Sequence, residues 1–162
     1  DTVNGEEKKI YSYYGEDNYV STSYYDNGNV QSIVSSDGIT KNFYESGVLQ
    51  KEFTSEEDYK LYNENGSLIE ESDSNGNFSH YNNEGHLTCK KELGQTVYEE
   101  YESGQIKVQK IKNNTFHFNE DGTVSSINNF SSSAWSDKSK VSFSEDGNVL
   151  LSNEDGDRKS VV

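Results

Sequence analysis

The residues able to do chemistry are few, and their spacing argues against catalysis. Three histidines, His80, His86 and His117, and one cysteine, Cys89, supply every imidazole and thiol in the chain. His86 and Cys89 are near neighbours, but a Cys–His nucleophile pair also needs an oriented base and an oxyanion site. Cys89 stands two residues after Leu87, on the period of an apolar position, and reads as structural. His80, His86 and Cys89 match no structural zinc spacing. His80 and His117 each precede a glycine, Gly85 or Gly122, by five residues, which marks a repeat position and not a ligand set. The stretches Glu71-Ser72-Asp73-Ser74-Asn75-Gly76 and Asn153-Glu154-Asp155-Gly156-Asp157 set oxygen ligands beside a glycine. An EF-hand loop closes on a Glu at its twelfth position, and for the first stretch that residue is Asn82. Turn formation accounts for both stretches. Carboxylates are so abundant that a pair for glycoside hydrolysis carries no signal. No G-x-S-x-G or P-loop pattern is present. The chain reads as non-enzymatic, with no cofactor and no metal.

The elements that carry these residues form a repeat. Gly28, Gly47, Gly66, Gly85, Gly104, Gly122 and Gly147 are spaced by 19, 19, 19, 19, 18 and 25 residues. Two positions after each glycine stand Val30, Leu49, Leu68, Leu87, Ile106, Val124 and Val149; four before stand Tyr24, Phe43, Tyr62, Tyr81, Phe118 and Phe143. Glu100 interrupts the aromatic column and Tyr101 follows it, as if that turn were one residue shorter. A fixed period of this length means stacked supersecondary units. Weaker turn signals lie midway: Asp37-Gly38, Asn75-Gly76, Gly94, Asn113-Asn114 and Asp155-Gly156. Asn-Gly and Asp-Gly favour two-residue hairpins of type I′. Tyr, Phe, Val, Ile and Thr fill the intervals as strand formers.

The expected fold is all-β: an up-and-down antiparallel meander of stacked hairpin repeats of about 19 residues, forming an elongated sheet. Each aromatic should pack across its turn against the following aliphatic, leaving a polar opposite face. Ser55-Glu56-Glu57-Asp58 is the one place for a helical turn. The expected organisation is a single domain over 1–162, with a degenerate N-terminal cap (1–23), regular repeats (24–128), an insertion (129–140), and a last repeat with a C-terminal cap (141–162).

Composition bounds the partners. With 30% hydrophobic residues and no Met, the chain has little to bury, and a thin sheet with an apolar stripe is expected over a thick globule. The formal charge is −15, from 29 acidic and 14 basic residues. Such a surface excludes ordinary nucleic-acid binding and direct docking on anionic lipid, and it steers basic proteins toward it. The same acidity also keeps an exposed sheet soluble. One cysteine permits no internal disulfide, and no hydrophobic run reaches the length of a membrane span.

The words YYDNGNV, FYESGVL, LYNENGSL, HYNNEGHL and FNEDGTV resemble the MORN-repeat-variant family over about residues 24–126. The resemblance implies β-hairpin ribbons that serve as non-enzymatic interaction modules, some of them antitoxin components, and many of them bacterial envelope or secreted proteins. An extracytoplasmic location is therefore expected. The words are also similar to YD repeats and to aromatic cell-wall-binding repeats, which imply a carbohydrate ligand. None of these groups supplies catalytic residues to carry over.

The candidate contact residues are Trp135, Phe130, Tyr25, Tyr44 and Tyr98. Trp135 and Phe130 lie in the insertion that breaks the period, which is either a contact loop or a plug at the sheet's end. The tyrosines supplement the aromatic column and offer large contact area at small entropy cost. The expected partner is a basic protein, neutralised in the manner of an immunity or antitoxin protein. The alternatives are a carbohydrate-binding surface module and a structural scaffold.

Overall fold

The computed structural model describes residues 10–13, 18–128, 139–144, 148–153 and 158–161, with the backbone alone at 10–13, 143 and 158–161. Sixteen strands and no helix are present among them. The chain divides into two compact units at the start of β9, between Leu87 and Thr88. The first unit holds β1 (Ile10–Tyr13), β2 (Tyr19–Tyr24), β3 (Val30–Ser35), β4 (Thr40–Phe43), β5 (Leu49–Phe53), β6 (Tyr59–Tyr62), β7 (Leu68–Ser72) and β8 (Phe78–Tyr81). The second holds β9 (Leu87–Glu92), β10 (Gln95–Glu100), β11 (Ile106–Ile111), β12 (Asn114–Phe118) and β13 (Val124–Asn128). A separate three-stranded sheet follows: β14 (Lys140–Phe143), β15 (Val149–Ser152) and β16 (Arg158–Val161). Strand order follows chain order and the pairings are antiparallel, so the all-β meander is the observed fold.

The main turns repeat one geometry. In Tyr25–Asn29, the Gly28 N–H donates to the Tyr25 carbonyl (2.9 Å) and the Tyr25 N–H to the Asn29 carbonyl (2.8 Å). Gly28 has φ +87°, whereas Asp26 and Asn27 keep negative φ. Negative φ at both central residues excludes types I′, II and II′. The loop is a type I turn followed by a left-handed residue, three residues long with a bulge. The Asn-Gly and Asp-Gly pairs thus do not form the two-residue turns expected of them. Only their glycine is left-handed.

The bulge sets the register. It falls one residue before each turn and places Tyr24 opposite Val30, Phe43 opposite Leu49, Tyr62 opposite Leu68 and Phe118 opposite Val124. Aromatic and aliphatic therefore bracket these four turns as paired residues. Glu100 occupies the same column opposite Ile106. The turn after it is of full length, with the Tyr101 N–H donating to the Gln105 carbonyl and the Gly104 N–H to the Tyr101 carbonyl (both 2.9 Å). Tyr101 does not replace Glu100; it starts the turn.

The midway loops explain the period. Those at Ser36–Gly38 and Ser74–Gly76 repeat the three-residue form. Ser55–Glu57 has the same length without glycine, and the Ser55 Oγ accepts the Glu57 and Asp58 N–H groups (3.3 and 3.0 Å) in place of a helical turn. Leu93-Gly94 and Lys112-Asn113 are two-residue loops whose first residue has positive φ, 51° and 55°. The last of these lies one residue earlier than the Asn113-Asn114 signal. Between β9 and β10 the register skips Val97, a bulge that restores the residue lost from the loop and keeps the 19-residue spacing. Between β11 and β12 no such bulge occurs, and the spacing falls to 18.

The two units bury their stripes differently. Every buried apolar side chain among the described residues belongs to the second unit: Val108, Phe116, Phe118, Val124, Val149 and Leu151. Phe116 and Phe118, two residues apart on β12, share a face and stack with ring centroids 6.2 Å apart. Val149 and Leu151 of β15 complete that cluster from the three-stranded sheet. The Val124 N–H donates to the Ser139 carbonyl (2.7 Å), where the chain returns to the sheet. In the first unit the equivalent residues Tyr24, Phe43, Leu49, Tyr62 and Leu68 are half-buried, as the thin-sheet expectation requires. The opposite face is not purely polar, since Phe53, Tyr59 and Leu61 lie there with Lys51 and Glu70.

Two substitutions separate these environments. Phe116→Ala should cost about 3–5 kcal/mol, as a fully buried ring does, and Leu68→Ala less than about 2 kcal/mol. Denaturant unfolding followed by NMR reporters in each unit measures both; equal costs would contradict the assignment of the core.

Candidate interaction surface

Tyrosines one position after the aromatic column join successive repeats. The Tyr25 hydroxyl donates to the Phe43 carbonyl (2.6 Å), Tyr44 to the Tyr62 carbonyl (2.8 Å) and Tyr101 to the Phe118 carbonyl (2.8 Å). Each bond spans 17 or 18 residues of sequence and satisfies the acceptor at the start of the next turn. The turns also stack: the Asn27 and Asn29 side-chain amides both donate to the Glu45 carbonyl (2.9 and 2.7 Å).

Where Asn replaces Tyr, the turn is capped from within. The Asn63 Oδ1 accepts the Asn65 and Ser67 N–H groups, and Asn82 Oδ1 those of Glu84 and His86, all at 3.0 Å. Asp73 does the same on the opposite edge, accepting from the Asn75 and Asn77 N–H groups and the Asn77 amide. These bonds, the Asn77 contacts foremost, hold its carboxyl below the usual carboxylate range. Asp73 of the Glu71–Gly76 stretch is thus bonded to its own turn. The second such stretch lies mostly outside the described residues.

One face of the first unit carries a compact polar–aromatic cluster. The Lys51 ammonium sits over the Phe53 and Tyr59 rings, 5.0 and 4.7 Å from their centroids. The Tyr59 hydroxyl donates to Glu70 Oε1 (2.5 Å), and the other oxygen of Glu70 meets His80 Nδ1 at 3.1 Å. The Glu70 hydrogen bond, aided by burial, pushes the Tyr59 phenol up to about 12. On the other face Lys41 pairs with Glu52 at 3.0 Å.

The remaining predicted residues fall as follows. Tyr25 and Tyr44 are half-buried with hydroxyls committed to the backbone, so they offer a partner their ring surface only. Tyr98 is half-buried on β10 and donates to Glu100; burial first, then that bond, raises its phenol to about 12. Trp135 and Phe130 lie outside the described residues. His80, His86 and His117 stand on separate strands or turns, and among the described residues no three His, Cys, Asp or Glu side chains form a metal-holding group. Cys89 faces Glu99 across the β9–β10 ladder, and burial raises its thiol above the ordinary value, the Glu99 charge adding to it. That disfavours the thiolate a nucleophile requires. The Lys51–Tyr59–Glu70–His80 cluster was legible only through strand register, because its members lie 8 to 11 residues apart in sequence.

The paired aromatic and aliphatic, the left-handed glycine and the tyrosine reaching to the next unit define the repeat. Residues 20–35 and 36–56 match the MORN repeat variant family. The two matched segments cover β2 to β5, and the bond from Tyr25 to the Phe43 carbonyl joins one to the other. The same turn geometry recurs beyond them at Tyr62/Leu68 and Phe118/Val124. MORN repeats are non-catalytic modules that generally bind proteins or membranes. No curated protein matches the chain.

Two measurements test these contacts. Tyr44→Phe leaves the Tyr62 carbonyl without its donor and should cost about 1 kcal/mol; a denaturation midpoint unchanged from the parent would show the bond contributes nothing. Tyr59 and Tyr98 titrate above the ordinary value near 10. Their phenol–carboxylate contacts therefore stabilise the fold fully below about pH 10, and that stability is lost as pH rises through about 12. Glu70→Gln should return Tyr59 toward the ordinary tyrosine range in an ultraviolet titration while Tyr98 stays late. A Tyr59 that remains late would rule out the carboxylate as the cause.

Proposed function

We propose that this chain is a non-enzymatic, protein-binding repeat module that neutralises a more basic protein in the manner of an immunity or antitoxin protein. One observation carries the reading. Each main turn of the first unit from β2 onward presents an exposed carboxylate, Asp26, Glu45, Glu64 and Glu84, and none of these turns contains Lys or Arg. Successive turns are two strands apart, about 9.6 Å at the ordinary strand spacing, so the carboxylates recur along one edge, Asp26, Glu45 and Glu64 two residues before their glycine and Glu84 one. The lysines stand on the strands instead, where Lys41 is paired with Glu52 and Lys51 lies over two rings. No Lys or Arg of these turns offsets the negative field of the edge, where the one basic neighbour is His86, its Nδ1 3.7 Å from Glu84 Oε2, and the net charge of −15 reinforces it.

Exposed charges of this kind govern association rate and partner choice more than the final affinity. The half-buried rings of Tyr25 and Tyr44, next to the same turns, supply apolar contact beside the charge. The non-catalytic character of MORN repeats supports a binding role over an enzymatic one.

Reversing four charges tests the reading. The parent chain, immobilised in extract at low ionic strength, should capture a basic protein and release it in about 0.5 M salt, where the screening length falls to a few ångströms. The variant Asp26→Lys, Glu45→Lys, Glu64→Lys, Glu84→Lys should capture none of it. Capture indifferent to the reversal, or retention on wall glycan that free sugar competes away, would overturn the proposal.

A further inference from the structure

The first unit leaves an apolar row uncovered. Tyr24, Val30, Phe43, Leu49, Tyr62 and Leu68 stand one per strand on β2 to β7, paired across the turns, and all are half-buried. Among the described residues of this unit no second layer lies on them, and its extended contacts join neighbouring strands only. The second unit shows what a covering layer does at the same repeat positions. There Phe118 and Val124 lie under Val149 and Leu151, and their exposure falls to 8% and 0%.

The width of the apolar surface decides what can cover it. On β12 and β13 of the second unit the adjoining positions on the same face are Phe116 and Ile127, so the apolar surface there is two residues wide and accepts a sheet. In the first unit those positions are Thr22 and Ile33 on β2 and β3, and Lys41, Glu52, Lys60 and Glu71 on β4 to β7. From β4 to β7 one apolar row remains, bounded on one side by this charge-balanced row, and Ile33 alone widens it at β3. On its other side run the turn carboxylates Asp26, Glu45 and Glu64. A covering element must then be narrow, apolar along one stripe and cationic on one flank.

Spacing selects among narrow elements. Neighbouring strands put successive row residues about 4.8 Å apart, or about 24 Å from first to last. An extended segment returns a side chain to the same face every 6.6–6.8 Å or so, out of step with the row. An α-helix presents one apolar residue per turn of about 5.4 Å, nearly in step, and spans 24 Å in about sixteen residues. A second copy of this chain would bring its own carboxylates against these, an arrangement that like charge opposes.

We infer that this row takes a basic amphipathic helix of a partner protein, lying across β2 to β7 with its lysine or arginine flank toward the turns. The inference rests on the neutraliser reading and specifies the partner's docking element.

The test uses the isotope-labelled full-length chain and two synthetic peptides of about sixteen residues. One is a helix with one Leu per turn and Lys along one flank; the other is a scramble of the same composition. The helix should bind about tenfold tighter or more than the scramble, with amide shifts centred on Phe43, Leu49 and Tyr62. Leu49→Ser should remove that advantage, and Leu61→Ser on the opposite face should preserve it. The shift map of the parent decides the matter even where a variant folds poorly. Equal binding of both peptides, with shifts confined to the turns, would overturn the helix and leave the neutraliser reading standing. Shifts centred on Leu61 and Glu70 would overturn the choice of face. Binding of neither peptide at low salt would overturn both proposals.

Discussion

Each repeat depends on one left-handed residue at the end of its main turn. A type I turn alone would splay the strands that it joins; the following glycine, at φ +81° to +88° in the six described main turns, bends the chain back and inserts the bulge. The bulge moves the register by one residue, and a one-residue shift sends a side chain to the other face. Glycine thus determines that Tyr24 meets Val30 and Phe43 meets Leu49. The remaining features follow from that pairing: an apolar row, a carbonyl before the turn within reach of the preceding repeat's tyrosine where Tyr25, Tyr44 and Tyr101 supply one, and carboxylates turned outward.

The two units then diverge through one adjoining row. Lys41, Glu52, Lys60 and Glu71 keep the first unit's face half-polar from β4 to β7, and the single sheet there is stiffened by hydroxyl–carbonyl bonds and turn caps. Phe116 and Ile127 widen the apolar surface in the second unit, and a second sheet packs on it. The same repeat positions therefore form core in one place and stay half-buried in another, according to two positions per unit.

The repeat, the strands and the pairing across each turn were legible because they depend on residue type at fixed offsets. Turn type was not, since Asn-Gly and Asp-Gly suit both a type I′ turn and a type I turn with a left-handed glycine. Only φ at Asn27 and its equivalents distinguishes them. The two loops that do open on a positive φ use Leu93 and Lys112, which no propensity would nominate. At Glu100 the aromatic Tyr101 suggests a shorter turn, whereas the register follows the glycine. Of the surface, the acidic turns were visible in the sequence. The Lys51–Tyr59–Glu70–His80 cluster was not, because strand pairing brings it together from three hairpins.

Gly28 offers the most direct test of this account, because a Cβ added there meets nothing within 4 Å. Any cost of substitution is then conformational. Gly28→Ala should destabilise the chain by about 1 kcal/mol or more, since alanine resists positive φ. Gly28→Asn should cost clearly less, because asparagine tolerates the left-handed region. Chemical denaturation of the two variants beside the parent gives both values. Alanine and asparagine variants of equal stability, or an alanine variant as stable as the parent, would contradict the claim that left-handed turns hold the register.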